Sequence, residues 1–451
     1  MRRSVHSPLM FVAPDVDHQH AKELQAIGAR IESMPECVDL VALDLDRGLK
    51  NPSKGRQGLS AGTVLSAALL KQLAGLSYKM LAFHLADSRS YRKFCFLGIS
   101  GTPPSESALQ RDIKKIRPET FEKINRILLG NAAKDGIETG RKVRVDCTVT
   151  ETNIHEPMDS EQLWDCVRVL SRLLDEAKAL VELRFTDHTR RAKKRRQAIR
   201  NAKNKQTRKK LYVDLLKVTQ NMTDAAYDGI SSLSSFDSTD FTESFTARHL
   251  KGELERFADL SERVISQTHR RVILEEKVPA REKVFSIFEP HTDIIIKNNR
   301  EVEYGHKLCL ASGASGLILD LVVEDGNPAD STLATRMVER QKDVFNRAPR
   351  QVAFDGGFAS KDNLREIKEL GVSDVSFSKR RGLAVKDMVK SEWVYRQLFR
   401  FRAGVEAGIS FLKRCFGLRR CTWSGLDSFK AYAWASVLAA NLLMTARHDL
   451  A

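Results

Sequence analysis

Apolar residues along the chain follow two rhythms that alternate from one end to the other. From residue 59 to about 129 they recur at helical spacing. Val64, Leu65, Ala67, Ala68, Leu69 and Leu70 make one run, and Leu76, Met80, Leu81, Ala82, Phe83 and Leu85 a second. Gly75 marks the turn between them. A third helix is expected after Pro103-Pro104, with Ser105 or Ser107 as N-cap and Leu109, Ile113 and Ile116 on its inner face. At 142–149 the rhythm changes to strict alternation, with Val143, Val145 and Cys147 on one face and Arg144, Asp146 and Thr148 on the other. Helical spacing returns at Leu163, Trp164, Val167, Leu170, Leu173 and Leu174 and continues to about Glu276, interrupted by a serine-rich loop expected at 231–235. Strand signals resume at 284–288 and 294–296, and the runs 307–310 and 317–323 flank Gly313-Ala314-Ser315-Gly316 as a hairpin. A helix over about 331–345, a strand ending at Asp355, a helix over 362–370 and a strand at 375–377 complete a mixed α/β pattern. The last apolar run, 431–444, reads as a buried helix too short to span a bilayer.

Composition adds a globular chain with a polyanionic partner. Of 451 residues 42% are hydrophobic, ample for packed cores, and the formal charge is +16. Most of that excess is local: between Arg184 and Lys210 stand thirteen Lys or Arg against Asp187 alone. Such density needs phosphates to neutralise it, so a DNA-backbone contact through residues such as Arg195 and Arg196 is favoured over a merely solvated face. The seven cysteines show no zinc spacing and read as reduced core residues of a cytosolic protein. The apolar stretch 9–13 is too short for a signal peptide. No Gly-rich phosphate loop implies ATP use, and no Ser/His/Asp arrangement stands out.

The chemistry lies in one helix and two strands. Phe399, Arg402, Glu406 and Lys413 fall within roughly 60° of one another at helical spacing, so one carboxylate is flanked by two cations on a single stripe. Such a stripe suits a divalent metal held against a phosphodiester, the carboxylate taking the ion and the cations gripping phosphate oxygens. Asp146, on its strand, and Asp355, just after another and followed by Gly356-Gly357, supply two further acids. Two strand acids and a helix acid can converge on a pair of Mg²⁺ ions, which need few protein carboxylates. Each acid alone has a simpler reading: an exposed strand carboxylate, a turn cap, or half of an ion pair with Arg402.

Asp146-x-Thr148 followed by Asn153-Ile154, Pro157 and Asp159-Ser160, then Asp355-Gly356-Gly357-Phe358-Ala359-Ser360-Lys361, then the Arg/Glu/Lys helix, resembles the ISNCY group of bacterial insertion-sequence DDE transposases over about residues 59–447. The helix is similar to a Tyr-x2-Arg-x3-Glu-x6-Lys signature, with Phe399 at the tyrosine position retaining a ring and no hydroxyl. The resemblance implies metal-dependent DNA cleavage and strand transfer at element ends, with Asp146, Asp355 and Glu406 as catalytic metal ligands. Mg²⁺ is the expected ion and Mn²⁺ its substitute. Arg402, Lys413 and Lys307 are expected on phosphates and Phe399 on an unpaired base. His155 and Asp159 are candidate supporting groups, although loop or cap roles suit both better.

The expected organisation is an N-terminal segment and linker, 1–58, with the polar stretch 51–58 at its end. A helical, helix-turn-helix-like DNA-binding domain follows at 59–135, then a ribonuclease H-like catalytic core at 140–450 with a basic helical insertion at about 163–280. The expected partners are double-stranded DNA at terminal inverted repeats, target DNA and a second copy of the chain in the synaptic complex, at the nucleoid in the cytoplasm and away from membranes. A non-catalytic DNA-binding regulator on the same scaffold and a structure-specific nuclease with the same core stand as alternatives.

Overall fold

The computed structural model describes residues 17–51, 58–98, 101–297 and 301–451. The stretch 9–13 and most of the linker expected at 51–58 lie outside the described residues. Among the described residues seven helices come first: α1 (Gln19–Glu32), α2 (Pro35–Asp46), α3 (Ala61–Leu73), α4 (Tyr78–Asp87), α5 (Arg89–Phe94), α6 (Glu106–Ile113) and α7 (Pro118–Lys134). Strand β1 (Lys142–Glu151) precedes four more, α8 (Asp159–Ala177), α9 (Thr189–Asn201), α10 (Lys205–Ser234) and α11 (Phe241–Thr268). Then come β2 (Asp293–Lys297), β3 (Glu301–Ser312), β4 (Ile318–Val323), α12 (Ala334–Phe345), β5 (Gln351–Phe354), α13 (Lys361–Glu369), β6 (Asp374–Phe377), α14 (Val385–Met388), α15 (Glu392–Cys415) and α16 (Leu426–Leu450). The fold is mixed α/β with a helical majority.

The chain divides into two compact units, residues 1–152 with 305–451, and residues 153–304. In the first, a mixed sheet carries the site. Strand β1 pairs antiparallel with β3 and parallel with β5, β5 pairs parallel with β6, and β4 closes the expected hairpin with β3. β-Branched residues at Val143, Val145, Val149 and Val352 suit these half-covered strands. Helix α15 packs on β1, β5 and β6. The N-terminal helices pack with α16 around Leu65, Leu69, Phe121, Phe429 and Leu438, all buried. Ser60, Ser77 and Ser105 each cap a helix by accepting a hydrogen bond from the backbone N–H three residues on.

The first fifty residues, to which the sequence reading assigned no element, hold α1 and α2, with Leu24, Ile27, Ile31, Val38, Val41 and Leu45 buried. In the second unit, α8, α10 and α11 pack on one another with α9 against α8 and α10. Two expectations differ here. Residues 231–235 are not a loop: α10 runs through Ser234, with the Ser232 and Ser234 hydroxyls donating to carbonyls four residues back while Leu233 is buried. Residues 284–288 form no strand. Val284 instead exchanges both backbone hydrogen bonds with the Gln267 side chain at the end of α11, at 2.8 and 3.1 Å, and buries its side chain in the helical core.

Candidate active site

Sheet register sets the first two acids side by side. Val145 pairs with Phe354 in the parallel β1/β5 ladder, so the next residues, Asp146 and Asp355, emerge together at the carboxyl end of the parallel pair. Asp355 follows the last residue of β5 directly. The two glycines after it permit close approach, but the approaching groups belong to the chain. A methyl at Gly356 would overlap the Lys379 side chain, and one at Gly357 the Asp330 carboxylate. The space expected for a ligand beside these glycines is thus filled by protein.

Helix α15 carries the third acid and is fastened to β1. Ser391 caps it, accepting from Val394 N–H at 3.3 Å, and Val394, Leu398, Val405 and Leu412 bury its inner stripe. Arg144, on the face of β1 that Asp146 shares, donates to Ser312 Oγ at 2.9 Å and to the Phe401 carbonyl at 3.0 Å. Its guanidinium lies over the Phe401 ring and against Gly404, where any side chain would collide with it. The strand therefore grips the helix within one turn of Arg402.

Arg402 is the centre of the site. Its Nη2 lies 3.1 Å from Asp146 Oδ2 and 3.0 Å from Asp355 Oδ1, and its Nη1 donates to Glu406 Oε1 at 2.9 Å. All three acids thus meet one guanidinium. The Asp146 and Arg402 side chains are only 15% and 17% exposed, while that of Glu406 is 67% exposed and faces outward. Burial pushes the Asp146 carboxyl up to about 6 against the opposing pull of the Cys147 N–H and Arg402, and the charges of Asp355 and Asp330 push the same way as burial. At Asp355 partial burial is outweighed by the Ser378 hydroxyl, donating at 2.7 Å, by the Gly356 and Gly357 N–H groups and by Arg402, so its carboxyl is held below its ordinary value.

The pair bears on metal binding. Two carboxylate oxygens on one nitrogen lie roughly 6 Å apart or less, the separation of groups that can close on a shared cation, and the guanidinium stands where that cation would be. Asp146 and Asp355 therefore fit a divalent ion, with Glu406 one helical turn from Arg402 on α15. With Arg402 in place, no group of three or more His, Cys, Asp or Glu among the described residues is gathered closely enough to hold one.

The other expected site residues fall as follows. Phe399 is exposed on α15, beside Tyr395, whose hydroxyl donates to the Phe377 carbonyl at the end of β6. Lys413 is half-buried near the end of α15, about 16 Å along the axis from Arg402. The ammonium of Lys307 is engaged by Asp330 at 2.5 Å and the Pro328 carbonyl at 2.6 Å. Arg195 pairs with Asp214, and Arg196 with Glu161 at 2.8 Å while lying over the Trp164 ring. These two arginines brace the helices of the second unit, and the neighbouring Arg190, Lys193, Lys194, Arg200 and Lys203 are among the exposed cations of the run. His155 and Asp159 pair with Asp165 and Arg271 within that unit.

Sequence reading missed Asp330 and Ser378. Asp330 stands just before an expected helix and reads as a cap; only the fold brings it beside Gly357 and Lys307. Ser378 follows a short strand, and no local pattern marks it. Arg144 was legible as sharing a strand face with Asp146, but its hold on α15 was not.

Among known families, residues 267–442 match the model described as Transposase DDE domain, a span that takes in Asp355, Arg402 and Glu406 and leaves out Asp146. Residues 19–115, from α1 through α6, match the model described as Transposase domain (DUF772). No curated protein and no solved structure matches the chain. The two family matches cover more than half of the chain between them and are together typical of ISNCY-type insertion-sequence transposases, and it is to these that the chain belongs.

Proposed function

We propose that the chain cuts DNA at the terminal inverted repeats of an insertion sequence and joins the freed 3′ ends to target DNA by in-line phosphoryl transfer, using a ribonuclease H-like core. The observation that carries this reading is the meeting of Asp146, Asp355 and Glu406 at Arg402. Asp146 and Asp355 would hold the divalent ion, Mg²⁺ or in its place Mn²⁺, and Glu406 would be its third carboxylate. When bound, such an ion activates a water or a 3′-hydroxyl and stabilises the departing oxygen.

The remaining steps belong to the side chains. Ser378 fixes Asp355 Oδ1, the oxygen that also meets Arg402, and so orients the carboxylate toward the site. Arg402 offers a forked donor to the non-reacting phosphate oxygens. Lys413 holds a phosphate further along the same strand, and the exposed Phe399 ring stacks on an unpaired base. Residues 59–135 bind the element ends, and α6 presents exposed Ser107, Gln110 and Arg111, with Lys114 just after it, for that purpose. The exposed cations of α9 hold the DNA backbone without reading sequence. Two copies act together because two ends are processed, at the nucleoid in the cytoplasm. Among the described residues no helix is long and apolar enough to cross a membrane.

The test uses a supercoiled plasmid carrying the element ends. Asp146→Asn, Asp355→Asn and Glu406→Gln should each reduce Mg²⁺-dependent cleavage at least a hundredfold while DNA binding persists. Full nicking by any of them removes that residue from the site. Binding without scission in Mn²⁺ would select a non-catalytic regulator on the same scaffold. Cleavage without joined products would select a nuclease.

A further inference from the structure

Arginines in this fold are held in two ways. Arg144 is bound by a carbonyl, a hydroxyl and an aromatic ring, none of which a metal ion would displace. Among the described residues the polar partners of Arg402 are the three acids, and its buried Nε–H has no acceptor. Everything that holds Arg402 is a group that a divalent cation would recruit.

The geometry points to Arg402 as a placeholder that keeps the divalent cation out of the DNA-free chain and yields the acids only when a DNA phosphate draws its guanidinium away. The inference rests on the reading of Asp146 and Asp355 as cation ligands. A Mg²⁺ ion bound by both carboxylates needs oxygens at about 2.1 Å, within the space that Nη2 now fills at 3.0 and 3.1 Å from the same oxygens. Ion and guanidinium therefore exclude each other. The site nevertheless favours a cation: three carboxylates face one guanidinium, while the neighbouring Asp330 is already neutralised by Lys307. A phosphodiester offers the guanidinium two anionic oxygens in a matching fork, so release costs little once DNA is present. Loading then becomes conditional on substrate, and by linkage the ion tightens DNA binding by the factor by which DNA tightens ion binding.

The test measures Mn²⁺ binding to the full chain without DNA, by calorimetry and by the shift in melting temperature on adding Mn²⁺. Arg402→Gln should bind Mn²⁺ at least tenfold more tightly than the parent chain, and the gain should vanish in the double variant with Asp146→Asn. Removing the charge alone would also raise affinity, and Arg402→Lys, which keeps the charge, separates that effect from the space vacated. Arg402→Lys, which keeps a cation of shorter reach, should fall between the two and serves if the glutamine variant is poorly folded. Equal Mn²⁺ affinity in parent and variants, lost in both on Asp146→Asn, overturns the placeholder and leaves the proposed function standing. A gain that survives Asp146→Asn places the ion elsewhere and overturns it too. Absence of Mn²⁺ binding from every variant, with no DNA scission, sinks the proposed function and this inference with it.

Discussion

Asp146 sits in a place that resists its own charge. Its carboxyl is raised to about 6 from an ordinary 3.8, chiefly by burial, so the folded chain holds that proton more tightly than the unfolded chain does. The sign follows: its contribution is most favourable below about pH 4 and is lost as pH rises towards about 6, a change of roughly 1–3 kcal/mol. In chelator-treated protein, Asp146→Asn should flatten the pH dependence of stability across that window, read from urea midpoints at a series of pH values. An unchanged slope would mean that the carboxyl titrates normally. Asp355 behaves oppositely, because hydrogen bonds from Ser378 and the following glycines lower it, and what it contributes is lost only under stronger acid. Neighbouring carboxylates with displaced proton affinities are common at reactive sites, and here the cause is one buried strand position beside one better-solvated turn.

At the scale of elements, the site depends on how β1 holds α15. Arg144 joins them through Ser312 Oγ and the Phe401 carbonyl, and Gly404 is the gap through which it passes. Arg144→Ala should lower stability by about 1–3 kcal/mol and reduce cleavage more than DNA binding, since it loosens the helix bearing Arg402 and Glu406. Gly404→Ala should act by the same route, because its methyl displaces the guanidinium. The double variant should therefore cost less than the sum of the two, a non-additivity measurable in melting and in turnover. Strictly additive losses would show that the two residues act separately. Most elements were readable from local pattern: the β3/β4 hairpin, the capped α6, and the strand, helix, strand series of β5, α13 and β6. The failures were also local in origin. Apolar density at 284–288 resembles a strand, but Gln267, distant in sequence, satisfies that backbone. Serines at 231–235 resemble a loop, but their hydroxyls fold back on the helix and a buried Leu233 carries α10 through them.

For the whole molecule, charge and site lie in different compact units, the basic run in residues 153–304 and the acids in the other. Charge count predicts a polyanion contact, but the fold selects which cations are available for it. Replacing Lys193, Lys194 and Arg200 together by Gln should reduce the slope of log affinity against log salt by about 3, measured with any duplex. Replacing Arg195 and Arg196 should instead lower the stability of the helices, since their partners are Asp214 and Glu161.

By itself the sequence determined the mixed α/β class and the transposase resemblance, and it singled out three acids, their arginine and a charge that suits a polyanion, because helical and strand periodicity, charge density and motif spacing are local properties of a chain. Only the tertiary structure decided that the acids close on Arg402 rather than on empty space, that Lys307 serves Asp330, and that Arg195 and Arg196 are braces. Those outcomes depend on strand register and helix packing between residues as far apart as Asp146 and Arg402, and no local pattern encodes which of several complementary charges will meet.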